Sequence, residues 1–193
     1  MGLPYLKTSA ALLAIAISAT GCVKMDGKVN GGGTMNSMGG AGKAVMTFNA
    51  ERCDEQPVKG QVNFQDKTAI DWENDGGVSF RANVVQAGLC GEDIEFSGDA
   101  ALACDQRCGP GEFEVTFEYD STNPQLPGEG TGVACMVDWG EGVNASYRIN
   151  GMASISVDTG PYSSYANRGA LSGNVQTMEC PSAKNNKNDE ENG

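Results

Sequence analysis

Carboxylates are the one reactive side chain this sequence holds in excess: 25 Asp and Glu against 13 Lys and Arg, with no histidine anywhere. Without an imidazole the commonest general base is missing, and with it the Ser-His-Asp and Cys-His nucleophilic sites and most metal hydrolases. What remains is paired-carboxylate chemistry, in which one ionised and one protonated acid face each other across a cleft, as in glycoside hydrolysis. Glu92, Asp93, Glu95, Asp138 and Glu141 are the candidates. In so acidic a chain, however, carboxylates fall near one another without any function, and charged residues belong mostly to solvated surface. No catalytic residue is assigned, and the chain is read as a non-enzyme.

The sharpest local pattern is Asp71-Trp72-Glu73-Asn74-Asp75-Gly76, with acids at alternate positions and a glycine that permits a tight bend. It resembles the first half of calcium loops of the DxDxDG type, whose hard oxygen ligands wrap a cation. Glu stands at the third position and Ala82 where the bidentate Glu would be, so an EF-hand is excluded. Two readings stay open: a looser calcium site of Asp71, Glu73 and Asp75, which the second acidic turn Asp138-Trp139-Gly140-Glu141-Gly142 would join, or a plain acidic β-turn.

Trp72 and Trp139 lie in polar turns, and Tyr162 and Tyr165 in Gly-Pro-Tyr-Ser-Ser-Tyr. Exposed rings beside Asp and Asn would stack on sugar faces and make these four residues a glycan-binding set. Buried, the same rings would supply packing area.

Seven cysteines are present, and their use depends on the amino terminus. Lys7 precedes an apolar run over 10–19, about half the roughly 20 residues needed to span a bilayer. It reads as the h-region of an export signal. Ala19-Thr20-Gly21-Cys22 follows and resembles the bacterial lipobox, small residues before a cysteine that accepts diacylglycerol, although Ala19 stands where Leu is more usual. The resemblance implies a bacterial lipoprotein: a signal peptide over 1–21, Cys22 as the acylated (palmitate-bearing) amino terminus, and an anchor of two or three chains at about 0.8 kcal/mol per buried methylene. Val23 after the cysteine, by similarity to lipoprotein sorting patterns, implies the outer membrane, facing periplasm or cell surface.

Six cysteines then remain, Cys53, Cys90, Cys104, Cys108, Cys135 and Cys180. An even number in an exported chain reads as three disulfides. Spacing alone leaves the connectivity open; pairing in order along the chain, with Cys104 to Cys108 closing a small loop, is the preferred arrangement. The spacing of that pair is CxxxC, not the CxxC of redox sites, and a zinc site would need reduced thiols outside the cytoplasm.

These groups must be positioned by strands. In 112–119 Phe113, Val115, Phe117 and Tyr119 alternate with three glutamates and a threonine, a strand with one buried and one wet face. Shorter alternations occupy 44–48, 62–64, 78–84, 133–139, 147–149, 153–157 and 171–178, separated by Gly, Pro, Asn and Asp turns. Asn150-Gly151 is the clearest hairpin turn among them. Only 99–106 suits a short helix. Eight or so strands make an all-β fold, an antiparallel β-sandwich or small barrel stapled by disulfides. Residues 27–43 hold seven glycines and no apolar period. The expected organisation is therefore a signal peptide at 1–21, a lipidated Gly-rich linker at 22–43 with an average reach of about 25 Å, an all-β domain at 44–180 and a disordered tail at 181–193.

After removal of Lys7 with the signal, 12 cations face 25 carboxylates, a mature charge of −13. Such a surface repels nucleic acid and draws cations or basic proteins. The expectation is a lipid-anchored envelope lipoprotein whose exported β-domain binds a protein or glycan or is structural. The alternatives are an acidic inhibitor of a basic enzyme such as lysozyme, and a carboxylate-dependent glycan-acting enzyme.

Overall fold

The computed structural model describes residues 27–53, 56–90, 107–109, 111–139 and 149–180. Among the described residues eight strands form: β1 (Gly27–Asn36), β2 (Lys43–Arg52), β3 (Lys59–Asp66), β4 (Val78–Leu89), β5 (Phe113–Ser121), β6 (Glu129–Asp138), β7 (Ile149–Val157) and β8 (Ala166–Met178). Each pairs antiparallel with the next, and β8 returns to β1 in a ladder from Lys28↔Met178 to Thr34↔Ser172. The expected all-β fold is thus a closed up-and-down barrel, not a sandwich. Closure leaves no edge strand to pair with another chain.

Period-two alternation decides which way each side chain faces. In β2, Ala44, Met46, Phe48 and Ala50 are buried while Lys43, Val45, Thr47 and Asn49 are exposed; in β3, Val62 and Phe64 are buried while Gln61, Asn63 and Gln65 are exposed. An apolar interior and polar exterior is the reverse of a membrane-spanning barrel. One strand changes phase: β4 inserts Val85 as a bulge between Val84 and Gln86. Inward residues therefore switch from Val78, Phe80, Ala82 and Val84 to Ala87, and Val85 itself is left exposed.

The phenylalanine rings of the lumen come from one side. Phe48, Phe64, Phe80, Phe113, Phe117 and Tyr119 project from β2 to β5, with Phe80 ring-to-ring against Phe64 and Phe117 at 5.6 Å and Tyr119 at 4.7 Å. The strands flanking this set, β1 and β6, give them room by omitting side chains. Gly31 is the cross-strand partner of Phe48, Gly132 of Phe117 and Gly130 of Tyr119. A Cβ at Gly132 would lie 2.6 Å from the Phe117 ring, and one at Gly130 2.5 Å from Tyr119. Pairing a ring with a glycine covers the glycine's bare backbone and fits a large residue into a narrow barrel.

This packing corrects the expected linker. Gly27–Asn36 is not a tether but β1, hydrogen-bonded on both sides, with Val29 and Met35 in the core. Gly31 leaves room for the Phe48 ring and Gly27 for that of Phe113, while a Cβ at Gly32 or Gly33 would lie 2.8 Å from the Met46 carbonyl or 2.5 Å from the Ser172 carbonyl of the flanking strands. The domain therefore begins at Gly27 and not at residue 44, and 37–42 is the turn into β2. Residues 1–26, which carry the signal and Cys22, the helix expected over 99–106 and the tail at 181–193 lie outside the described residues. Asn150-Gly151 is not a hairpin turn either: it sits inside β7, where the register shifts between Ile149 and Gly151.

Disulfide pairing in order along the chain is also overturned. Cys53 joins Cys180 and Cys108 joins Cys135, with Cα atoms 5.5 and 5.4 Å apart. Cys90 is disulfide-bonded too. Barrel closure explains the first pair: β1 lies between β2 and β8, and Cys53 and Cys180 follow the two flanking strands just where β1 starts. All these cysteines stand toward the end of the barrel at which β1 begins, its base. The other end, closed by 37–42, 67–77, 122–128 and 158–165, is its apex.

Candidate functional site

At the apex the inward phase of β3 runs Val62, Phe64, Asp66, so a carboxylate is delivered to the lumen where an apolar residue would be expected. Asp66 is fully buried. Its Oδ1 accepts from Ser37 Oγ at 2.6 Å and the Thr68 amide at 3.2 Å, and its Oδ2 from the Met38 amide at 3.1 Å and Tyr165 Oη at 2.8 Å. A carboxylate has about four lone-pair sites, and all are used. Burial pushes the Tyr165 hydroxyl well above the ordinary tyrosine range, and the hydrogen bond and negative charge of Asp66 push it the same way. Tyr165 therefore stays a neutral donor, and the group ties the turns after β1 and β3 to the start of β8.

Tyr162, from the same loop as Tyr165, closes the neighbouring part of the apex. Its ring lies 5.8 Å from Tyr119 and 6.2 Å from Phe80, and its hydroxyl donates to the Ser79 carbonyl at 3.1 Å and shares a 2.7 Å bond with Ser121 Oγ. The Tyr119 hydroxyl in turn donates to the Thr159 carbonyl at 2.9 Å. Burial raises the Tyr119 hydroxyl above its ordinary range.

The four aromatic residues expected to stack on a glycan are not one platform. Tyr162 and Tyr165 have 0% exposure and belong to the core. Trp72 is half-buried at the apex, edge-on to Tyr165 with centroids 5.5 Å apart. Trp139 is exposed and follows β6, at the base. Inward anchoring through hydroxyl groups was the missed signal: a buried tyrosine needs a polar partner, and Asp66 and Ser79 supply them.

Asp71, Glu73 and Asp75 are exposed in the β3–β4 loop, with Glu73–Asp75 forming a 3-10 turn. The loop is closed by its own backbone: the Asp75 and Gly77 amides donate to the Trp72 carbonyl, and Asn123 Nδ2 donates to the Asp75 and Gly77 carbonyls at 2.7 and 2.8 Å. Gly76 and Gly77 take the left-handed conformation the bend demands, at φ 85° and 79°. Asp138 cannot join them, since it ends β6 at the base, where its Oδ2 accepts from the Thr177 amide. Among the described residues the ligand atoms that do converge within 4.8 Å are those of Cys108, Glu112 and Cys135, and both sulfurs are spent in the disulfide. Glu92, Asp93, Glu95 and Glu141 lie outside the described residues.

The outer face of β5 and β6 also departs from expectation. Glu112 and Glu114 were assigned to the wet face, yet both are buried. Residues 107–109, 111 and 112 lie over the barrel exterior, held by Cys108–Cys135, by Arg107 to Asp158, and by Arg168 to Glu112 Oε1 at 2.6 Å. The Gly109 amide fills Glu112 Oε2 at 2.7 Å. Glu114 lies beside Cys135 across the ladder. The outward phase of β5 is thus correct, but a second layer covers it.

No protein family matches the chain, and neither a curated protein nor a solved structure is similar to it.

Proposed function

We propose that this protein is an exported lipoprotein of the bacterial envelope, acylated on Cys22 and held at the outer membrane, whose barrel is a binding or structural module that works through its loops and outer surface. The observation that carries the second half is the filled lumen: rings from β2 and β5 seat against glycines of the adjoining strands β1 and β6, leaving the exterior for recognition. Disulfide bonding at Cys53, Cys90, Cys108, Cys135 and Cys180 supports an oxidising compartment and hence export. A non-enzymatic role accords with Asp66, whose carboxylate is consumed by four internal donors.

Growth with an alkyne-tagged fatty acid tests the anchor: the protein takes up label and sediments with membranes, and Cys22→Ser loses both. Retained label in Cys22→Ser would exclude acylation at that residue.

A second reading, capture of a basic enzyme, draws on the exposed Asp71, Glu73 and Asp75 at the apex of a chain of net charge −12. Electrostatic steering makes such capture fall steeply with salt. Binding of a basic lysozyme by the oxidised mature chain at low salt, abolished by Asp71→Asn/Glu73→Gln/Asp75→Asn, would establish it; equal binding by both proteins would dismiss it.

A further inference from the structure

We infer that the base of the barrel, carrying exposed Trp139 and Met178, rests against the lipid headgroup layer, and that the apical loops are the face turned outward. The inference rests on acylation at Cys22, the reading proposed above. Because β1 begins at Gly27, only five peptide steps separate it from the lipidated residue. Fully extended they reach at most about 18 Å, and as a coil about 12 Å on average. That is half the reach a linker ending at residue 43 would have had.

The start of β1 is therefore held beside the membrane, and the described strand ends at that end of the barrel are held with it. Met178 faces Lys28 across the β1–β8 ladder and is 45% exposed; Trp139 follows β6 and is 37% exposed. The Asp138 to Thr177 hydrogen bond joins the ends of β6 and β8, so these two side chains flank one junction. A tryptophan with one face free and a flexible thioether suit the boundary between headgroups and acyl chains, where indole is favoured. Strands of ten residues tilted as in a closed barrel raise the apex, with Trp72, about 25 Å above the base.

The chain contains two tryptophans, one at each end, which makes the orientation measurable. Acylated full-length mature protein is reconstituted into phosphatidylcholine vesicles with and without a nitroxide-headgroup lipid, as wild type, Trp72→Phe and Trp139→Phe. Trp72→Phe, which retains Trp139, loses most of its emission to the headgroup quencher and shifts to the blue on vesicle binding. Trp139→Phe, which retains Trp72, is unchanged in both respects. If Trp72→Phe does not fold, the difference between wild type and Trp139→Phe reports Trp139 instead. Equal quenching of both tryptophans, or stronger quenching of Trp72, in acylated and vesicle-bound protein would overturn the orientation while leaving the anchor standing. Protein that carries no acyl chain and does not bind vesicles would remove the anchor reading, and this inference with it.

Discussion

Tyr165 and Asp66, 99 positions apart in sequence, meet inside the apex through a 2.8 Å hydrogen bond from the tyrosine hydroxyl to Oδ2. The bond connects the first residue before β8 to the last residue of β3, and with Ser37 it joins three of the four apical turns. A buried carboxylate is tolerated only when fully satisfied, so each donor depends on the others.

Replacing Asp66 by alanine strands four donors, two of them backbone amides. At about 1–3 kcal/mol for a buried polar group left unpaired, the loss is expected to exceed 3 kcal/mol. Urea unfolding monitored by tyrosine and tryptophan fluorescence measures it. A midpoint equal to wild type would show that the network contributes nothing to stability.

The raised Tyr165 hydroxyl makes stability depend on alkaline pH. Its folded pKa lies above the unfolded value of about 10, so its contribution is complete below pH 10 and is lost as pH rises beyond it toward the folded value. Tyr165→Phe is expected to be about 1–2 kcal/mol less stable at pH 7 through the lost bond, and to show a shallower decline above pH 10. Thermal melts of both proteins from pH 7 to 11 provide the comparison; parallel curves would refute the assignment.

Glycine positions that face rings should resist even a methyl group. Gly132→Ala places Cβ 2.6 Å from Phe117 and against the Ser156 carbonyl, whereas Gly169→Ala meets nothing nearer than Met35 Cβ at 3.8 Å. Overpacking predicts a cost of about 1–3 kcal/mol at Gly132, and a change at Gly169 between neutral and about 1 kcal/mol of stabilisation. Differential scanning calorimetry separates the two. Equal melting temperatures would mean that the lumen is looser than the ring–glycine pairs require.

Cys53–Cys180 closes a loop of 127 residues and Cys108–Cys135 one of 27. Loop entropy assigns about 5 kcal/mol to the first and about 3.5 kcal/mol to the second. The double alanine variant of the first pair should therefore melt lower than that of the second. Non-reduced peptide mapping should recover both pairs, and recovery of Cys53 joined to Cys90 would contradict the barrel connectivity.

A chain starting at residue 44 lacks β1 and leaves β2 and β8 with unpaired edges. It should be insoluble or molten, while a chain starting at residue 22 folds. Near-ultraviolet circular dichroism and dispersion of amide proton resonances distinguish them; a well-folded 44–180 fragment would show β1 to be dispensable.

Much of the barrel was legible in the residues alone, because a half-buried strand must alternate. The inward sets in β2, β3, the first half of β4 and β5 follow directly from Phe, Val, Met and Tyr at every second position. An acidic, histidine-free composition bounded the chemistry in the same local way. β1 was not legible, since Gly31, Gly32 and Gly33 carry no pattern of their own and acquire a role only when β2 and β8 stand on either side, with Phe48 beside Gly31. Asp66 was not read from the sequence, where the alternation was followed only to Phe64; it continues that phase, and what satisfies it comes from Ser37 and Tyr165, far away in sequence. The disulfide partners, the burial of Tyr162 and the covering of Glu112 were decided only when β8 returned to β1 and residues 107–109, 111 and 112 lay over the barrel exterior. Alternation and composition are local properties read residue by residue, whereas ring against glycine, donor against carboxylate and cysteine against cysteine are relations between distant segments that exist only once the barrel is closed.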